Sequence, residues 1–147
     1  MKDREKIDSC KEIFVTNIYE PKENQLVIEI ALGRVSEIEK NFRVSNSKVF
    51  SGRQIFFDES SEKYRLFFDS YISYWVVNEG FEKVMAGKYS GNRIREYEES
   101  SFIDFCREET TGFAILEGIP TRHFMLVSQN HIINILTVSA LDIQLLD

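Results

Sequence analysis

The chain has two histidines, His123 and His131, and their spacing is the first candidate for chemistry. They stand eight residues apart and bracket a segment patterned as a hairpin, so the imidazoles could face each other across it. With Glu117 or Asp142 such a pair could hold a metal. Metal sites, however, favour tightly spaced histidines with a third ligand close by. Ordinary strand-end histidines are the default reading, and no metal or cofactor is expected. Cys106 falls on the apolar face of a helical pattern beside Phe102 and Phe105, where burial opposes the thiolate a nucleophile needs. Cys10 lies in a polar segment with no histidine partner in view. The carboxylates, among them Asp58, Asp69, Asp104 and the cluster Glu96, Glu98 and Glu99, read as a solvated charged face. Paired acid–base work would require a spatial match that spacing does not supply. No phosphate loop, dinucleotide fingerprint, nucleophile elbow or CxxC pair occurs. The chain therefore reads as non-enzymatic.

These residues must be positioned by strands. Tyr64–Phe81 holds seven aromatics in eighteen residues. From Tyr64 to Val77 one alternating face carries Tyr64, Leu66, Phe68, Ser70, Ile72, Tyr74 and Val76. The other carries Arg65, Phe67, Asp69, Tyr71, Ser73, Trp75 and Val77. Extended, the run would span about 46 Å, longer than a strand normally stays straight. Asp69-Ser70, small and polar on both faces, is the expected bend where the strand leaves one sheet for another. Tyr71 and Trp75 are the aromatics left for a partner. Glu79, at the strand end, is expected to accept hydrogen bonds from loop amides.

Elsewhere the pattern predicts a hairpin from residues 12–18 and Gln25–Leu32, with Asn24 left-handed in its turn. Gly33 to Lys48 reads as loop, with a short helix or an irregular strand as alternatives, because the loose helical spacing at Val35, Ile38 and Phe42 is broken at Ser45-Asn46-Ser47. A strand follows at Gln54–Asp58, a loop at Ala86–Asn92, and a short strand at Arg93–Tyr97. Ser101 to Thr110 is the one clear helix, with Ser101 and Asp104 at capping-box spacing and Gly112 ending it. Phe113–Arg122 reads as loop. Phe124–Val127 and His131–Thr137 read as a hairpin with Asn130 in the positive-φ place, and Asp142–Leu146 as a last strand. Strands around one helix give a β-rich α+β domain of antiparallel sheet, a sandwich or partly open barrel, over 1–147 as a single domain.

The 18 basic and 24 acidic residues give a net charge of −6. That disfavours nucleic acid, whose phosphates need a basic footprint. The N-terminal MKDREKIDSCKEIF has no apolar signal core, and no run reaches the length of a membrane span. A cytoplasmic location and no membrane partner are expected by elimination, with Cys10 and Cys106 as free thiols. The sequence leaves the oligomeric state open.

The run YRLFFDSYISYWVVNEGF, Tyr97 ahead of Ser101-Phe102-Ile103-Asp104-Phe105, His123-Phe124, Asn130–Leu136 and the earlier NIYEP…NQLVIE together resemble an uncharacterised family of small Bacillus-type bacterial proteins. The resemblance covers nearly the whole chain; Ala114–Pro120 and Ser139–Asp142 depart from its pattern. It implies a likeness to the immunity proteins of polymorphic toxin systems, and so a non-enzymatic protein whose partner is a protein toxin. Acidic charge would then steer a basic toxin. The residues assigned to partner or ligand contact are Tyr71, Trp75, Glu79, His123 and His131. The alternative is a small-molecule site lined by the long strand, with Tyr74, Arg65 and His131 converging on a cavity.

Overall fold

Sheet architecture follows from where apolar alternation stays regular and where it breaks. The computed structural model describes residues 2–46, 48–83 and 85–147. A helix α1 (Lys2–Ser9) precedes strands β1 (Ile13–Tyr19), β2 (Leu26–Leu32), β3 (Arg34–Ser45), β4 (Lys48–Phe56), β5 (Lys63–Phe68) and β6 (Tyr71–Asn78). After a 3-10 turn at Glu79–Phe81 come β7 (Gly87–Ser90), β8 (Ile94–Ser100), α2 (Ser101–Glu109), α3 (Gly112–Ile115), β9 (Arg122–Val127), β10 (His131–Thr137) and β11 (Leu141–Leu146). Among the described residues the strands form three antiparallel sheets, none closed into a barrel. Their orders are β1-β2-β5-β11, β6-β10-β9-β8-β7, and the lone pair β3-β4.

The expected fold class, α+β and β-rich with antiparallel sheets, is what the chain adopts. The two larger sheets share one core. Ile13, Val15, Leu26, Ile28, Ile30, Tyr64, Leu66 and Phe68 from the first meet Ile94, Phe124, Leu126, Ile133 and Ile135 from the second, with Ile7 of α1 closing an end. Phe68 and Phe124 touch across the layers, their ring centres 5.6 Å apart. Burying a side chain of this size contributes roughly 1.5–3 kcal/mol, so this layer dominates stability. No helix among the described residues is long and apolar enough to cross a membrane.

The long aromatic run does divide at Asp69-Ser70. β5 lies inside the four-stranded sheet and β6 forms an edge of the five-stranded one. The corner is clasped from both sides. Asn24 O accepts from Tyr71 N at 3.0 Å, and Asp69 accepts from Gln25 Nε2 at 2.8 Å. Ser139 Oγ accepts from Ser70 N at 3.3 Å, while Thr137 Oγ1 donates to Ser70 O. Asn24 takes the left-handed conformation its turn requires, at φ 66°.

Several expectations are corrected. Of the readings of Gly33–Lys48 the irregular strand, not the loop, is adopted: the segment supplies β3 and the start of β4, a two-stranded arm that makes few contacts with other elements among the described residues. Ser47, part of the expected break, lies outside the described residues. Ala86–Asn92 contains strand β7, and Phe113–Arg122 begins with α3. Lys2–Ser9, too polar to show an apolar stripe, is helical because it is tied down: Asp8 Oδ1 accepts from the backbone N–H groups of Asn92, Arg93 and Ile94 at 3.2, 2.7 and 2.8 Å. The α2 cap is Ser100, not Ser101, with its Oγ accepting from Ile103 N at 3.2 Å. Thr110, not Gly112, caps the other end. Asn130 does not take positive φ; its side chain joins β1 instead, accepting from Val15 N at 2.9 Å and donating to Val15 O at 2.8 Å.

Candidate functional site

The residues assigned to partner contact do not form one surface. The reason is a bulge in β6: Leu136 pairs with Ser73 and Thr137 with Tyr71, so Ile72 is an extra residue. An extra residue reverses the facing of everything before it. Tyr71 therefore lies on the inner side with Tyr74. Their rings meet edge to face at 4.9 Å, and both hydroxyls donate to Glu20 Oε1. The Glu20 hydrogen bond, then burial, pushes the Tyr71 phenol up to about 12. For Tyr74, burial and then the same carboxylate raise it. Trp75 points the other way, toward α2, and stacks on Phe102 at 6.3 Å.

The histidines separate too. His123 pairs with Leu136 and His131 with Asn78, five positions along β10 and on opposite faces. They cannot jointly hold an ion as a facing pair. His123 is fully buried between Tyr97 and Phe102, with ring centres 4.9 and 5.0 Å away. Its Nε2 lies 2.9 Å from Asn134 Oδ1 and its Nδ1 2.8 Å from Ser100 Oγ. A carbonyl oxygen only accepts, so the proton sits on Nε2 and Nδ1 accepts from the serine. Burial drops the imidazole to about 4, partly opposed by Asn134. Ser100, His123 and Asn134 have the residue types of a nucleophilic triad. The hydroxyl, however, is spent, accepting from Ile103 N and donating to His123, and Ser100 is buried. The chain of bonds anchors a helix start to the sheet. His131 is half-buried, and its Nδ1 is buried without a partner among the described residues.

Glu79 is exposed in the 3-10 turn. The role expected of it belongs to Asn78, whose Oδ1 accepts from Gly80 N at 3.0 Å. Arg65, Tyr74 and His131 do not converge. Arg65 sits on the outer side of its sheet, beside Glu29 at 3.2 Å, while Tyr74 and His131 belong to the other sheet. Cys106 is fully buried, and burial raises its thiol. Its expected neighbour Phe105 instead faces out.

Trp75 and Phe105 share an extended aromatic concavity. The outer face of β6 and β10, the first turns of α2, and the segment after the 3-10 turn enclose two adjoining clefts of about 440 and 400 Å³. Both are lined by Trp75, Met85 and Ser101. Phe81, Ile132 and Asn134 complete the first, and Phe102 and Phe105 the second. Trp75 is 54% exposed, Phe81 84% and Phe105 53%. Water covers large rings here that the sheet and helix could have buried. The flanking segment 79–83 and α2 together carry Glu79, Glu82, Asp104, Glu108 and Glu109 against Lys83 and Arg107. Burial raises the Glu82 carboxyl. Among the described residues β6 pairs only with β10, so the groove borders a sheet edge.

Of these groove residues, Trp75 alone was singled out in the sequence. Phe81 beside Gly80 was a legible signal, since a large aromatic next to a breaker has no strand or helix face to join. Phe105 was misread because Phe102 and Cys106, one turn apart, take the buried stripe and leave it beside them. Comparison with protein-family models, curated proteins and solved structures gives no match.

Proposed function

We propose that this chain is a non-enzymatic protein-binding protein, an immunity-type protein that occludes a cognate toxin. The observation that carries the reading is the groove: Trp75, Phe81 and Phe105 exposed around clefts beside the edge strand β6, on a chain of net charge −6. Interface hot spots are enriched in such aromatics, and rim charge selects partners of opposite sign. A partner strand could add to β6 through main-chain hydrogen bonds while its side chains enter the clefts. The partner expected is a basic protein. Chemistry finds less support, because the one Ser–His–Asn chain is buried and spent on capping. A ligand enclosed between the sheets finds less, because Phe68 and Phe124 meet across that space.

The test is co-expression with the product of a neighbouring toxin-like gene, followed by purification and titration. A one-to-one complex is expected, and Trp75→Glu should weaken it by about 100-fold or more, as for a central aromatic anchor. No complex at micromolar concentration, or one indifferent to Trp75→Glu, sinks the reading.

A further inference from the structure

The β3–β4 arm has the opposite character to the body that carries it. Residues 34–56 hold five basic side chains, Arg34, Lys40, Arg43, Lys48 and Arg53, against Glu37 and Glu39. The rest of the chain holds 13 basic and 22 acidic residues. A +3 arm thus projects from a −9 body. Isolated two-stranded hairpins are marginal in water, and this one makes few contacts with other elements among the described residues. It still exposes Ile38, Phe42, Val44, Val49 and Phe50, with Phe42 opposite Phe50 across the ladder. The Phe42–Phe50 pair, left to water on one face of the ladder, is the kind of apolar feature that marks an interaction site.

The two strands of the arm differ. β3 carries the extra residues at both register shifts, between Val35 and Glu39 and between Arg43 and Ser45. Bulges bend a strand and blunt its edge, so β4 presents the more regular free edge. The body, at −9, offers β6, an edge strand among the described residues, next to an aromatic groove lined by Glu82 and Lys83. Charge sign decides among the arrangements. Arm on arm would oppose two +3 surfaces. Arm on groove joins apolar to apolar and basic to acidic.

We propose that the arm of one copy docks in the Trp75 groove of a second copy, β4 adding to the β6 edge, and that the exchange is reciprocal and closes a dimer. Each chain has one arm and one groove, so reciprocal docking satisfies both without leaving a free end. Phe50, with Phe42 opposite it, is the anchor, and Lys40 and Lys48, on the same face of the arm, meet the acidic body. The proposal rests on the groove being a protein-docking site. It makes the arm the groove's occupant until a partner displaces it.

Light scattering after size exclusion, over a micromolar concentration range, tests this together with the emission of Trp75, the single tryptophan. The expected wild-type result is a monomer–dimer equilibrium, with emission shifting blue as dimer forms. Raising salt from 0.05 to 0.5 M should weaken it roughly tenfold, because the charges are exposed and screened. Phe50→Glu disables the arm, and Trp75→Glu disables the groove; each variant alone should be monomeric. Lys40→Glu with Lys48→Glu, whose cross-strand partners are Gly52 and Ser45, should weaken the dimer as well. Circular dichroism melts confirm that the variants fold. Mixing the arm variant with the groove variant should restore a weaker heterodimer, because one intact arm still meets one intact groove. A wild-type monomer throughout, a dimer that survives either lesion, an open polymer, or no rescue on mixing overturns the proposal. A wild-type monomer that still captures a toxin partner sinks the dimer alone. An arm variant that is monomeric but binds no partner sinks the functional reading alone.

Discussion

At the scale of single residues, His123 and Asp8 show how polar groups earn a place inside this fold. His123 is held neutral by burial at about 4, against an unfolded value near 6.5. Between these values the unfolded chain binds the extra proton, so stability rises with pH there and falls as pH drops through the window. The loss should reach about 3 kcal/mol by pH 4, read as a falling urea midpoint from pH 7 to 4. His123→Gln should flatten that dependence; an equally steep loss would place its origin elsewhere. Asp8 is a different case, one carboxylate oxygen serving three consecutive amides. Asp8→Ala leaves those donors short of an acceptor and should cost about 1–3 kcal/mol. Asp8→Asn keeps an acceptor oxygen and should cost less, and equal losses in the two variants would refute the hydrogen-bond account. Neither role was legible in the sequence. A lone histidine looks alike whether it caps, ligates or catalyses, and Asp8 acts on a turn more than eighty residues away.

At the scale of elements, the arm and the bent strand sit at opposite ends of legibility. The bend at Asp69-Ser70 could be read because apolar alternation runs on both sides of a small polar pair. The single-residue bulge at Ile72 could not, because nothing in Ser70-Tyr71-Ile72-Ser73 distinguishes an extra residue from a regular one. That one residue moved Tyr71 off the surface of Trp75. The arm was only partly legible for a related reason. Its apolar residues are sparse and charge-interrupted, and two bulges spoil the period of two, so Val35, Ile38 and Phe42 imitate loose helical spacing. Since the arm beyond its base makes few contacts with the rest of its own chain, it should be separable. Replacing residues 36–54 with a short turn is expected to leave the body folded, with Tm within about 5 °C of the parent. Arm amides in the monomer should also exchange far faster than those of β10, which lies between two strands and is buried along most of its length. A collapse of the melting transition on truncation would show that the arm contributes to the core.

For the whole molecule, the separation of charge matters more than its sum. A net −6 suggests uniform repulsion of acidic partners; a +3 arm on a −9 body instead gives the molecule a direction. Sheets and core were readable from composition and alternation because burial is set by side-chain type. The distribution of charge over surfaces was not, because it depends on which segment projects. The consequence is kinetic. On the proposed reading, a basic partner should be steered to the acidic body and held off by the arm. Stopped-flow mixing with the cognate partner, followed by Trp75 emission, should therefore show an association rate that falls steeply with ionic strength while dissociation changes little. In the truncated chain, which lacks the basic arm, the low-salt rate should rise, because repulsion is removed and the groove is unoccupied. If truncation slows association instead, the arm itself contacts the partner, and the groove is only half of the binding surface.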